Sequence, residues 1–290
     1  VNLDHPDLKN VLWENLAEKN GIPGVDDDDN GYIDDINGYD FSEDTADPSH
    51  KYDSYHGSHV AGLAAAHTNN QAGVAGVMSS KVKVMALNTF GTTAGASTSD
   101  ISNAIRYAAD NGANVINLSL GVKARASNLY SALNYAINKG VFIVSAAGND
   151  GSQLNSTSFF SPGSYGMSLD GMMNVGASDA ATNHIICSFS NYSSSYVEIA
   201  APGCDNSANS KGLLSTVDGV SYSWLRGTSM ASPVFAGAAA LAFGVIKANT
   251  GYTMSPQELE SFLKNASGES SNLTNKVQNG RTLDLLEILS

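Results

Sequence analysis

Residues 141–146 read Val141-Phe142-Ile143-Val144-Ser145-Ala146, a β-prone run that is apolar at odd and even positions alike. A strand with two apolar faces needs cover on both sides, as in a parallel sheet sandwiched between helices. The flanking sequence agrees. Upstream, residues 128–139 place Leu129, Leu133, Ala136 and Ile137 at helical spacing and stop at Gly140. Residues 114–120 (NVINLSL) read as another strand. Ser99 is positioned to cap a helix through Ile101, Ile105, Tyr107 and Ala108 that ends at Asn111-Gly112. A Gly/Thr-rich loop at 91–98 and a strand at 81–87 (KVKVMAL) precede it. Downstream, shorter strands are expected near 172–177, 187–189, 197–200 and 213–216. Ser255-Pro256-Gln257-Glu258 then forms a capping box with proline at the first helical position. This βαβαβ rhythm predicts an α/β fold: a doubly wound, mostly parallel sheet flanked by helices on both faces. Its working loops lie beyond the carboxyl ends of the strands. One domain over 1–290 is the simplest expectation.

The chain has 290 residues, 42% of them hydrophobic, with 28 glycines, enough to bury a substantial core between many tight turns. A net charge of −13 argues against a nucleic-acid partner, because no basic stripe exists to displace counterions. No apolar run is expected to span a membrane. Cys187 and Cys204 set no disulfide framework; one bridge or two free thiols are both open.

Three short motifs carry chemistry. In Arg226-Gly227-Thr228-Ser229-Met230-Ala231-Ser232-Pro233, a glycine turn leads through Ser229 into an apolar helix, with Pro233 expected in its first turn. Such a serine is a helix cap or a nucleophile, and its partners decide which. His56-Gly57-Ser58-His59-Val60-Ala61-Gly62 opens a helix of small residues, which leaves His56 exposed on one side and suited to proton transfer. His59, inside that helix, is expected to be structural. Asn149, just beyond the strand end Ala146-Ala147-Gly148, can aim its amide into a cleft.

Together HGSHVAG, SLG, AAGN and GTSMASP, in this order, resemble the subtilisin-like serine proteases, from His5-Pro6-Asp7-Leu8 to Gly280-Arg281. The resemblance implies a three-layer α/β/α fold and a secreted endopeptidase made as a zymogen, acting on polypeptides and inhibited by its own prosegment. It implies Ser229 as nucleophile, His56 as general base, and Asn149 with the Ser229 N–H as oxyanion donors. It further implies that Ser119, Leu120 and Gly121 pair with the extended substrate, opposite Gly91 and Gly95. Ala146, Ala147 and Gly148 would line the pocket for the residue before the cut, with Phe159 and Phe160 near its floor. The family's triad aspartate belongs just before the segment matching Val1-Asn2-Leu3, so the chain reads as truncated at its amino-terminal end. Asp4, Asp7 and Asp53 are the nearest acids, and no motif nominates any of them as a substitute. Arg226, Val234 and Ser58 depart from the commoner asparagine, histidine and threonine. The second reading is a catalytically silent member of this fold that binds a peptide or partner through the same cleft. An esterase of the G-x-S-x-G type is rejected, because there the serine precedes the histidine.

Asp26-Asp27-Asp28-Asp29-Asn30-Gly31-Tyr32-Ile33-Asp34-Asp35 packs six carboxylates into ten residues. The D-x-D-x-N-G spacing resembles a calcium loop, with Asp26, Asp28, Asn30, the Tyr32 carbonyl, and Asp34 or Asp35 as expected Ca²⁺ ligands. The family resemblance implies a second Ca²⁺ site from Asp7, Asn70 and the carbonyls of Thr68, Ala72 and Val74.

Overall fold

The computed structural model describes residues 1–49, 55–78, 82–91, 95–180, 183–205 and 211–289. In chain order the elements are α1 (Leu16–Asn20), β1 (Gly38–Asp40), α2 (His56–Ala65), β2 (Ala86–Asn88), α3 (Thr98–Asp110), β3 (Val115–Leu118), α4 (Ser127–Asn138), β4 (Phe142–Ala146), β5 (Met172–Asp179), β6 (Ile199–Cys204), β7 (Leu213–Thr216), β8 (Tyr222–Leu225), α5 (Thr228–Thr250), α6 (Pro256–Asn265), β9 (Gly268–Glu269), β10 (Arg281–Thr282) and α7 (Leu285–Leu289).

The main sheet runs β3-β4-β5-β6-β10-β9 and is parallel from β3 through β10; only β9 is antiparallel. Its two faces divide the apolar side chains by strand alternation. Phe142, Val144, Met173 and Val175 point toward α5, packing on Phe235, Ala238, Ala239 and Ala242. Ile116, Leu118, Ile143 and Met172 face α3 and α4, against Ile105, Leu129 and Leu133. This is the doubly wound architecture with helices on both faces. Burying each of these large aliphatic side chains contributes about 1.5–3 kcal/mol. β1 and β2 form a separate parallel pair, joined by a bridge from Leu12 to Val84. Met85 and Leu87 pack against the same cluster as β3 without pairing with it.

Several local expectations shift. The strand expected at 81–87 is regular only over β2, and Lys81 lies outside the described residues. Ser97 rather than Ser99 caps α3: its backbone is extended (φ −74°, ψ 146°) and its hydroxyl accepts from Asp100 N, so Thr98 and Ser99 join the helix. At 187–189 there is no strand, only a bridge from Ile186 to Ser178. The capping box at Ser255 and Glu258 is present as read. Cys187 and Cys204 form a disulfide (S–S 2.01 Å) within the α5-side core.

The helix α5 overturns two expectations. It is long and apolar enough to cross a bilayer, but its apolar residues from Met230 to Ala239 are buried against the sheet. Pro233 sits at its sixth residue, past the first turn. Proline there removes the N–H that would bond the Ser229 carbonyl. Ser119 Oγ supplies the donor instead, at 2.9 Å.

Burial raises the pKa of Glu198, at the foot of β6, from 4.5 to about 7, against the opposing hydrogen bond from Asn174 N–H. The folded protein therefore holds a proton that the unfolded chain releases at 4.5, and stability falls as pH rises from about 4.5 to 7. Glu198→Gln, which keeps an acceptor for Asn174, is expected to flatten this slope. It should raise stability at pH 8 relative to pH 4.5 by on the order of 3 kcal/mol. Thermal melts of both proteins across that range check it; parallel curves would refute it.

Candidate active site

His56 begins α2, and Ser229 lies in the first turn of α5. The two helices pack closely: a Cβ on Gly237 of α5 would lie 2.9 Å from Val77 Cβ and 3.1 Å from the Ala64 carbonyl. The first turn of α2 is clamped by the β7–β8 ribbon. Ser215 Oγ donates to His59 O at 2.8 Å and Thr216 Oγ1 to Ser58 O at 2.7 Å. His59 is fully buried, its Nε2 at 3.1 Å from both Leu213 O and Ser223 O, and so serves as a structural pin. These contacts hold His56, the first residue of α2, half-buried at the rim. Burial lowers its pKa below 6.5, so the ring is neutral at physiological pH and able to accept a proton. Among the described residues no carboxylate contributes to that shift; Asp53 lies outside them.

Ser229 is the second residue of α5, where the first backbone N–H groups of a helix have no intrahelical partner. Its Oγ lies 3.3 Å from Ser119 O, and Ser119 Oγ returns a bond to Ser229 O. Asn117 extends this chain, donating to Ser119 Oγ at 3.0 Å and accepting from Ser232 Oγ at 2.7 Å.

The orientation of Asn149 follows from its partners. Thr228 N–H can only donate, so the amide oxygen faces it, at 2.8 Å, and also receives the Thr228 hydroxyl at 3.0 Å. That hydroxyl accepts in turn from Gly148 N at 3.1 Å. The Asn149 NH₂ is left to face Gly227. A Cβ on Gly227 would sit 3.5 Å from Asn149 Nδ2 and 3.6 Å from Ser229 N. Glycine thus keeps clear one small space bordered by these two nitrogens, with Asn149 Oδ1, which accepts from Thr228, 3.7 Å away, at the positive end of a 23-residue helix. An oxyanion is the species such a space suits.

Other expected residues are placed as follows. Ser119, Leu120 and Gly121 continue from β3, and Ser119 reaches the backbone of Ser229. Ala146 and Ala147 are buried behind it, and Gly148 adopts φ +98°. Gly91 lies near Ser42 and Gly95 is exposed with φ +142°; residues 92–94 between them are outside the described set.

In the acidic loop, single oxygens of Glu18, Asp26 and Asp28 lie within 4.8 Å of one another. That separation is about twice a Ca²⁺–oxygen distance, so this donor set fits a hard cation. Glu18, from α1, has no signal in the loop's own sequence. Asn30 N–H and Gly31 N–H bond Asp26, and Asn30 Oδ1 accepts from Tyr32 N. Asp35 is buried and takes Asn15, Asn30 and the Tyr107 hydroxyl, while Asp34 accepts from Gly24 N. The Asp7 group is arranged differently. Its carboxylate accepts from Asn70 Nδ2, Val74 N–H and Tyr222 OH. Asn70 turns its oxygen to Ala72 N, away from Asp7. Asn70 and Val74 thus present donors to Asp7, and Thr68 is half-buried in the same loop.

A sequence model of the subtilase family matches residues 1–283. The thermophilic serine proteinase of Bacillus sp. (strain AK1) is 44% identical over 206 residues, 71% of this chain and 46% of that protein. The halolysin-like extracellular serine protease Nep of Natrialba magadii is 38% identical over 207 residues, 71% of this chain and 34% of that protein. The chain thus spans about half or less of the length of these curated relatives. Among solved structures, a protease from Pseudoalteromonas arctica superposes with a TM-score of 0.74 at 29% identity, covering 99% of this chain and 86% of that one. Fold, motif order and coverage agree: the chain belongs to the subtilase family.

Proposed function

We propose that this chain is the peptidase part of a secreted, calcium-stabilised serine endopeptidase. The observation that carries the proposal is the cleared space before Gly227, faced by Asn149 Nδ2 and Ser229 N. In this reading the substrate backbone lies extended along Ser119, Leu120 and Gly121. Ser229 Oγ attacks the scissile carbonyl carbon while His56 takes its proton, and the two N–H donors hold the resulting oxyanion. His56 then gives that proton to the departing amine as the C–N bond breaks, leaving an ester on Ser229. Water, deprotonated by His56, attacks the ester, and His56 returns that proton to Ser229 Oγ as the acid leaves. The carboxylate that would orient the other His56 nitrogen is not among the described residues. The extracellular Natrialba relative supports secretion, as does the disulfide, since such bridges persist in oxidising compartments. An inhibitory prosegment from its own precursor accompanies this reading.

The test is labelling of the mature natural protein with a fluorophosphonate probe, read by intact mass and peptide mapping. A single adduct on Ser229 is expected. A folded protein that leaves Ser229 unlabelled would favour the silent peptide-binding alternative.

Glu18, Asp26 and Asp28 would hold the calcium ion, with Asn30 and Tyr32 completing the loop; the ion would neutralise a cluster that otherwise repels itself. Removing it with a chelator should lower the melting temperature by about 5 °C where calcium had stood near 100 times its Kd, and should speed autolysis. Asp26→Asn/Asp28→Asn should melt as the chelated protein does. An unchanged melting point and autolysis rate on chelation would dismiss the site.

A further inference from the structure

We propose that Phe160 fills the pocket for the residue preceding the scissile bond, restricting cleavage to sites after glycine or alanine. This rests on the endopeptidase reading above. In that reading Gly121 and Gly148 wall the pocket. A Cβ on Gly121 would lie 2.2 Å from Phe160 Cε1, and one on Gly148 would lie 3.1 Å from both Cε1 and Cε2 of the same ring. The ring therefore touches both backbones and occupies the gap between them. A leucine or phenylalanine side chain has no room there, whereas a methyl group needs none of the ring's depth.

The ring is held. Ser161 and Val122 exchange backbone bonds of 2.9 and 2.8 Å, tying Phe160's segment to the Gly121 wall. Phe160 N donates to Ser164 Oγ at 3.1 Å, and the Arg125 guanidinium lies 3.9 Å over the neighbouring Phe159 ring. The Gly148 wall is fixed as well: Asn191 donates to Ala147 O and accepts from Asp150 N and Ser152 N. An ion pair of 2.7 Å, Lys123–Asp150, runs between the segments that follow the two walls. Beside the ring lies a cavity of about 300 Å³, lined in part by Leu154, Thr157, Phe159 and Asn191. Removing the ring would join this cavity, which Lys123, Asp150 and Ser152 also line, to the gap and create a deeper pocket.

The experiment compares kcat/KM of the mature protein, F160G and F160L on matched peptides with Gly, Ala, Leu or Phe before the cut. The wild type should prefer alanine over phenylalanine by at least about tenfold, and F160G should shift that ratio toward phenylalanine by on the order of 10–200-fold. F160L, which keeps most of the packing, should move it the same way by less, with melting curves confirming that each variant folds. A wild type that cleaves equally well after phenylalanine, or a ratio unmoved in both variants, overturns the proposal. Binding of N-acetyl-phenylalaninamide, followed by NMR, is the arm independent of turnover. Binding to F160G and not to the wild type upholds the filled pocket even if Ser229 proves unreactive; equal binding to both, or to neither, overturns it.

Discussion

Ser229→Ala is expected to lower kcat about a million-fold with the fold intact. The serine is the second residue of a helix whose first turn has lost only a hydroxyl, and the carbonyl of residue 229 keeps its bond from Ser119 Oγ. Melting temperature should therefore stay within about 1 °C of the parent, since no buried group is orphaned. In subtilisin itself, a member of this family, loss of the nucleophile or the base costs about 2 × 10⁶ in kcat, and losing both costs no more. His56→Ala should therefore match Ser229→Ala, and the double variant should fall no further. With His56 present, kcat/KM should decline on acidification through a pKa below 6.5. Burial disfavours the charged ring, and only the neutral ring can accept the serine's proton. Residual peptidase activity of Ser229→Ala within a hundredfold of the parent would remove Ser229 from the nucleophile role.

What the sequence made legible was whatever a local pattern encodes. The two-faced apolar run of β4 required helices on both sides, and α5, α3 and α4 supply them. The Ser255 and Glu258 pairing needs only four consecutive residues, and it formed as read. Ser99 is cap-competent by residue type, but so is Ser97, and the extended backbone at Ser97 with the Asp100 N–H decides for Ser97. Pro233 misled for a different reason. Its cost depends on what replaces the lost helical bond, and the replacement donor, Ser119, lies 110 residues away.

The same distinction divides the site. Ser229, His56 and Asn149 could be named because each begins or follows an element in a characteristic short motif. The residues that aim them could not. Ser215 and Thr216, on β7, hold the carbonyls of α2's first turn across separations of 156 and 158 residues. Glu18 joins Asp26 and Asp28 from a neighbouring helix, outside the loop that carries the pattern. At Asp7 the Val74 N–H and the Tyr222 hydroxyl, 67 and 215 residues away, both meet the carboxylate. Contacts of that kind have no signature in residue type.

Asn149→Ala should lower kcat by about 10²–10³ while KM changes little, a magnitude taken from subtilisin rather than derived from this chain. The physical argument is that the amide NH₂ faces the space before Gly227, where negative charge gathers only once the carbonyl has been attacked. Thr228 is predicted to act through Asn149. Its hydroxyl and N–H hold the amide oxygen, and the same hydroxyl receives Gly148 N–H. Thr228→Val removes the hydroxyl contacts and keeps the shape and the N–H. With a net value of about 0.5–1.5 kcal/mol for such a bond, kcat should fall roughly 3- to 10-fold. The double variant discriminates between mechanisms. If Thr228 only positions the amide, adding Thr228→Val to Asn149→Ala should cost almost nothing further, a coupling as large as the Thr228 effect itself. If the two losses multiply in full, Thr228 acts on the reaction by its own route, and the positioning role assigned to its hydroxyl is wrong.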